Sequence, residues 1–327
     1  MFAGYVGKKI VIALVTLLVV VTLNFMIFRV FVGGDPSQMI LDPRMPPEVR
    51  DQLLAMWGID KPLFPDQYSL YLYNLFTWQY GLQFDQSATP IAPEMVWRLR
   101  NTVILLGLAT IGTISVGIPL GMFAGAKRGK KTDVTVIGIG LLTFGVPMFF
   151  LQLIWVAIFC LWLQILPRAG LVGLGGPQDP LSVALDVAAH AISPICTLIV
   201  GGFGGWALYT RNMMVDALTE DFVLTARAKG LRERDVITKH AFKSILPPVV
   251  TLIALSIPGI VTGAIITESI FAWPGIGQWY ISALQQQNHP VTQAVLYNFA
   301  VLMLGANLVA DLAYGFLDPR IKVGVRR

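Results

Sequence analysis

The sequence predicts an all-α polytopic membrane protein with six transmembrane helices. Composition is the first reason. Hydrophobic residues make up 55% of the 327 and charged residues only 13%, with a mean hydropathy of +0.67. A soluble domain carries roughly 25% charge, so lipid must replace water over much of this surface. Arrangement is the second reason. Apolar runs long enough to cross a bilayer alternate with polar loops, and basic residues concentrate in every second loop. Cys160 and Cys196 both lie in apolar runs, which reads as buried free thiols rather than a disulfide framework.

The first span is Ile10–Phe28, behind Lys8 and Lys9. It is too long for a signal-peptide core, and no small-residue cleavage site follows, so it is expected to be retained. The turn Gly33-Gly34-Asp35-Pro36 comes next, then a polar region over 37–100 with seven acidic and five basic residues. Two helical patterns are expected there. Glu48–Trp57 is one, and Gln67–Phe76 is the other, with Tyr68, Tyr71, Tyr73 and Phe76 suited to a membrane–water interface. The region reads as a folded extramembrane cap on the spans, or as a surface that meets a soluble partner.

Asn101–Gly125 is the second span. Gly117, Gly121 and Gly125 recur every four residues, a spacing that lets helix backbones approach in a membrane. The compact loop after it holds Lys127, Arg128, Lys130 and Lys131. Gly125, Gly129, Lys130 and Thr132 superficially suggest a phosphate loop, but the spacing is wrong and no strand precedes them. The third span, Val134–Leu163, should kink at Pro147 and exceeds what one crossing needs, so tilt or an interfacial extension is expected. Val187–Tyr209 is the fourth span, with Gly201, Gly202, Gly204 and Gly205 as a second close-packing face. Val249–Ile266 and Val291–Phe316 are the fifth and sixth.

Seventeen of the 24 lysines and arginines fall at the N-terminus, in the 127–131 loop, in the 211–243 loop and in the tail. The positive-inside rule then puts both termini and the 211–243 loop in the cytoplasm, and residues 30–100 outside. That orientation makes the chain a multi-pass membrane protein with both ends in the cytoplasm. The net charge of +5 follows from this loop distribution, so no nucleic-acid partner is implied.

The polar stretch Glu220–Pro248 organises the rest. Asp221–Lys229 reads as one short helix and Glu233–Phe242 as another, with Gly230 as the break and Pro247-Pro248 stopping the second at the membrane. Such a hairpin can fit a cleft on a cytoplasmic partner; equally, it can be a solvated inter-span loop. An enzyme is disfavoured. His190, His240 and His289 are far apart, and no carboxylate–histidine pairing at metal spacing is visible, so neither a catalytic residue nor a metal ligand is assigned. An ion-coupled carrier or channel is the different-class alternative. Its machinery would need ionisable groups inside spans, and only Asp311 and Glu268 offer themselves.

At this point the chain resembles a known family. Thr225-Ala226-Arg227-Ala228-Lys229-Gly230-Leu231, followed by Ile245-Leu246-Pro247, resembles the EAA loop of ABC-importer permeases in its dipeptide/oligopeptide form. Gly34-Asp35-Pro36, Gly117-Ile118-Pro119-Leu120-Gly121, Glu268-Ser269-Ile270-Phe271, Trp273-Pro274-Gly275-Ile276-Gly277 and Asp318-Pro319-Arg320 are similar to the same family. Leu224 and Thr225 replace the glutamate and first alanine of the general pattern, and the stretch from Gly230 to Leu246-Pro247 is longer than that pattern allows. Both departures point to the peptide branch.

The resemblance implies a type I ABC importer permease core (MetI-like) with an added N-terminal span and extracytoplasmic region. It implies an N-terminal transmembrane helix at 1–36, an extracytoplasmic region at 37–97, and a five-helix permease core at 98–317 containing the coupling loop 211–247. A cytoplasmic tail at 318–327 completes the chain. It implies a second homologous permease, two ABC ATPase subunits that bind ATP and Mg, and an extracytoplasmic solute-binding protein, all around a lipid bilayer. This chain itself would hold no cofactor. Thr225, Ala226, Arg227, Ala228, Lys229, Gly230, Leu231 and Arg232 would contact the ATPase, and Glu268 or Asp311 would meet a charged solute. Peptides are the expected cargo; oligosaccharides or a nickel chelate are the alternative within the family.

Overall fold

The apolar runs read from the sequence are mainly helical where the computed structural model describes them; it describes residues 2–31, 51, 55, 58, 61–83, 89–173, 175, 179–261 and 264–317. The pattern expected over 48–57 lies outside the described residues apart from Asp51 and Ala55, as do the Gly34-Asp35-Pro36 turn and the tail at 318–327. Among the described residues, five helices are long and apolar enough to cross a membrane, or six if one bent pair counts as a single span. Among the described residues there is no strand, only one isolated bridge between Leu82 and Pro90.

In chain order the helices are α1 (Phe2–Met26, widening into a π turn to Phe31), α2 (Tyr68–Phe76), α3 (Ile91–Ala126), α4 (Lys131–Gly145), α5 (Met148–Trp155, continued by a π turn to Trp162) and α6 (Pro180–Ala217). After them come α7 (Asp221–Ala228), α8 (Phe242–Val261), α9 (Ile265–Ile270), α10 (Ile276–Gln285) and α11 (His289–Leu317). At about 1.5 Å per residue, the 36 residues of α3 reach about 54 Å, well beyond the ~30 Å hydrocarbon core. The helix that carries the second span starts ten residues before the expected Asn101.

The chain forms two units. The first comprises residues 1–102, 261–265 and 274–309. Its core joins Phe25 of α1, Tyr71 and Leu75 of α2, Met95 of α3, Trp279 of α10 and Val295 of α11. The Phe25 ring lies 5.2 Å from both Tyr68 and Tyr71. The aromatic run read as interfacial is thus divided, with Tyr71 buried in this core while Tyr73 and Phe76 stay exposed. Polar side chains fix the register: Asn24 Nδ2 donates to the Gln293 carbonyl at 3.1 Å, and Asn298 Nδ2 to the Tyr80 hydroxyl at 3.1 Å. The Trp-Pro-Gly segment is held the same way. Asn101 Nδ2 donates to the Pro274 carbonyl at 3.1 Å, and the Ile276 N–H to Thr102 Oγ1 at 2.9 Å.

The second unit comprises residues 103–260, 266–273 and 310–327, and α6 is its axis. Four glycines of α6 face different neighbours. A Cβ at Gly202 would meet Thr113 of α3 at 3.0 Å, at Gly204 the backbone of Gly140 in α4, at Gly205 the Phe144 ring at 3.6 Å, and at Gly201 the Met148 side chain of α5. From the other side, Gly117, Gly121 and Gly125 of α3 sit on the α6 backbone between Phe203 and Met214. Both small-residue stripes read from the sequence are therefore packing faces, that of α3 seated on α6 and that of α6 turned mainly to α4 and α5.

Two expectations are corrected here. The third span does not merely kink or tilt at Pro147: α4 and the segment Met148–Trp162 meet at 98°. Val146 and Pro147 are both extended, because proline biases the residue before it away from the helical region and removes a donor. Nor do Pro247 and Pro248 stop a second short helix at the membrane. The helical path from Glu233 passes through a π turn at Val236–Ala241 and both prolines to Val261. Prolines are tolerated inside membrane helices where neighbours and Ser/Thr side chains make up the lost bonds. Here two hydroxyls brace the helix on either side of the prolines, Thr251 Oγ1 donating to the Pro247 carbonyl at 3.0 Å and Ser244 Oγ to that of Ala241 at 2.7 Å.

Candidate functional site

The site is α7 and the turn after it, seated on the end of α6. Val223 and Ala226 are buried among Met214, Ala217, Val236 and Ile245, with Ile118 and Met122 packed against them. They lie three residues apart, on one face of the helix. Glycine ends the helix for a conformational reason. Gly230 has φ +75, its N–H donates to the Arg227 carbonyl at 2.9 Å, and the Leu231 N–H reaches the Ala226 carbonyl at 3.4 Å. That pair of bonds is a Schellman closure, which needs a left-handed residue after the helix. Arg227 then grips Glu233 across the turn, Nη2–Oε1 2.8 Å and Nε–Oε2 3.2 Å.

Of the eight residues read as a docking surface, Thr225, Arg227, Ala228, Lys229, Gly230, Leu231 and Arg232 are exposed. Ala226 faces inward and seats the helix instead. Sequence reasoning named Leu231 but missed the rest of the apolar part of the surface. Phe222 is 44% exposed, Leu224 51% and Leu231 41%, on an element otherwise ringed by charge. Phe222 and Leu224, two positions apart, point to different sides of the helix, so apolar surface flanks the polar motif on this loop. Leu224 had been noted only as a departure from a motif.

A second feature, also missed, lies at the base of α4. Asp133 is 2% exposed and accepts three hydrogen bonds: from Arg211 Nε at 3.0 Å, from Arg211 Nη2 at 2.8 Å and from the Gly129 N–H at 2.8 Å. The loop once compared with a phosphate loop is thus closed by a carboxylate of its own chain. No sequence signal joins residues 78 positions apart.

Glu268 and Asp311 are placed separately. Glu268 is fully buried in α9, and its carbonyl accepts the Trp273 N–H at 2.9 Å. Beside it in sequence, Thr267 Oγ1 accepts from Gln152 Nε2 of α5 at 2.7 Å. Gln152 is fully buried, and its Oε1 finds no hydrogen-bond partner among the described residues. Asp311 is half-buried in the last two turns of α11. His190 has a structural partner that the sequence reading did not name. Asp186 and His190, one turn apart on α6, do pair at 3.2 Å. Asp186 Oδ2 also accepts the Gly173 N–H at 2.7 Å, so the pair fastens a loop.

A bundle of apolar helices with a small, apolar-tipped helix on one polar loop defines a multi-pass transport protein of the permease type. The chain belongs to the family of binding-protein-dependent transport system inner membrane components, whose pattern it matches over residues 117–323. It is 30% identical over 98% of its length to the oligopeptide transport system permease protein AppB of Bacillus subtilis, covering 99% of that protein. It is 34% identical to the dipeptide transport system permease protein DppB of Escherichia coli K12, over 92% of this chain and 94% of that one. The fold is similar to that of a chain in inward-facing structures of the MetNI methionine ABC transporter, with a TM-score of 0.53 at 17% identity, over 68% of this chain and 96% of that chain.

Proposed function

We propose that this chain is one of two paired permeases in an ATP-driven importer of di- or oligopeptides, with α7 as its coupling helix. The observation that carries the proposal is the build of α7. Val223 and Ala226 anchor it to the bundle, while Phe222, Leu224 and Leu231 stand exposed among charged residues. A rigid convex knob of this kind suits a cleft on a soluble ATPase subunit. The basic residues on the same loop support a cytoplasmic position, and with it both termini inside and an inner-membrane location. Two ATPases bind ATP and Mg, each holding one coupling helix, and an external binding protein delivers the solute. Closure of the ATPases draws the two coupling helices together and turns the pathway outward; hydrolysis resets it. Glu268 and Asp311 are the charged groups offered to a solute. The peptide cargo is supported by the names of the AppB and DppB relatives.

Reconstitution tests this reading. In proteoliposomes, uptake of a labelled peptide requires the partner permease, both ATPases, the binding protein and ATP. Cysteine at Ala228 cross-links to an ATPase subunit. Uptake by this chain alone on an ion gradient overturns the assignment.

A further inference from the structure

Arg211 lies on α6, ten residues before α7 begins, and four elements meet there. Its guanidinium holds Asp133 at the start of α4 through two hydrogen bonds. Its carbonyl lies against Gly125 of α3, so close that a Cβ on that glycine would sit 2.9 Å away. One turn on, Met214 is fully buried in the cluster that seats Val223 and Ala226 of α7. A planar fork bonded to both oxygens of one carboxylate fixes orientation as well as distance, which a single point charge does not. Within this unit the path continues. Gly140 and Gly204 bring α4 and α6 into backbone contact, α4 turns through 98° into α5, and Gln152 of α5 holds Thr267, next to Glu268.

We infer that Arg211 and Asp133 are positioning residues for transport: they make α3, α4 and α6 move as one body with the coupling helix, so that displacement of α7 reaches the Gln152–Thr267 contact beside Glu268. The inference rests on α7 being the coupling helix. The pair touches neither nucleotide nor solute. Its role is to keep the joint stiff, so that hydrolysis is spent on movement of α5 and α9. Gly129 supports it by donating its N–H to the same Asp133 oxygen that Arg211 Nη2 holds.

The test uses the complete importer in proteoliposomes and measures peptide taken up per ATP hydrolysed. Arg211→Gln is expected to lower that ratio at least tenfold while ATPase activity persists, and Arg211→Lys to give an intermediate ratio. A merely structural role would lower both activities together and leave the ratio unchanged, and that result overturns the inference. A second measurement does not depend on the variant folding. With Cys160 and Cys196 replaced by alanine, spin labels at Lys131→Cys and Asp216→Cys report the distance from α4 to the end of α6. It should be the same in nucleotide-free and ATP-trapped complexes; a change between the two states overturns the inference. The two readings fail separately. If the wild type takes up peptide without ATPase partners, the importer assignment falls. If the wild type couples normally and Arg211→Gln couples equally well, only the positioning role falls.

Discussion

Replacing Gly204 with alanine tests whether α6 is the packing axis of its unit. The added methyl would point into the Gly140 backbone, meeting its carbonyl carbon and Cα at 2.8 Å. Real Cβ atoms essentially never come that close, and backbone cannot rotate away as a side chain can. Separating α4 from α6 is the only relief. Overpacking of this kind costs about 1–3 kcal/mol, so the middle of that range, about 2 kcal/mol, corresponds to a fall in melting temperature of about 4–8 °C. The control lies on the same face-to-face pair of helices. Gly138 of α4 is exposed, with nothing within 4 Å of its Cβ position. Gly138→Ala should be neutral or should gain up to about 1 kcal/mol from helix propensity. The assay is thermal unfolding of the purified chain in a mild detergent, followed by loss of monodispersity. If Gly204→Ala melts with the wild type, or Gly138→Ala falls as far as Gly204→Ala, the contact does not hold the helices and the reasoning is wrong.

Gly230→Ala should cost about 1 kcal/mol through its positive φ rather than through a clash, since nothing lies within 4 Å of it; Gly230→Pro, which cannot adopt φ +75 and loses the N–H bonded to Arg227, should uncouple transport from ATP hydrolysis. Normal peptide uptake by Gly230→Pro would refute that role. Ala228→Glu adds charge to an exposed position on the docking knob and should abolish ATPase-driven uptake without changing the melting temperature, and a parallel loss of both would show a folding defect instead. Gln152→Leu removes the bond to Thr267 together with a buried oxygen that lacks a partner, so its stability should change by less than about 1 kcal/mol; a large loss measured by thermal unfolding would mean that the bond is structural. Asp179 caps α6 by accepting the Ser182 N–H at 2.9 Å, and that backbone hydrogen bond holds its carboxyl below the usual range. A lowered pKa gives stability that is present above the unfolded value and lost as pH falls through the folded one. The difference in melting temperature between wild type and Asp179→Ala should therefore be present at neutral pH and vanish below the ordinary carboxylate range.

Span positions were legible because bilayer thickness imposes a length and loop charge imposes a sign, and both are local properties of the chain. The glycine stripes were legible as packing faces, but their partners were not, because spacing says nothing about which helix lies opposite. The break at Gly230 was legible from the residue alone. The continuity of the helix through Pro247 and Pro248 was not, since it depends on what surrounds the freed carbonyls. Asp133 and Arg211 were each visible as charges, yet the first looked like a helix start and the second like one of many cations in a loop. Gln152 carries no sequence signal at all; only burial singles it out. On the docking knob, the polar motif drew attention to Arg227 and Lys229, while Phe222 carries no motif signal and Leu224 registers only as a departure from the general pattern.

The unbroken path from Glu233 to Val261 has a mechanical consequence. Pro247 and Pro248 supply no N–H, so the carbonyls of Lys243 and Ser244 lose their helical donors within one turn. The helix is continuous in shape there but not in stiffness. Bending resistance drops where two rungs are missing, and the cluster that seats α7 takes Val236 and Ala241 from below the prolines and Val249 from above them, so it spans the joint. The double proline thus acts as a flexure, a compliant joint whose motion costs little because its bonds were never made.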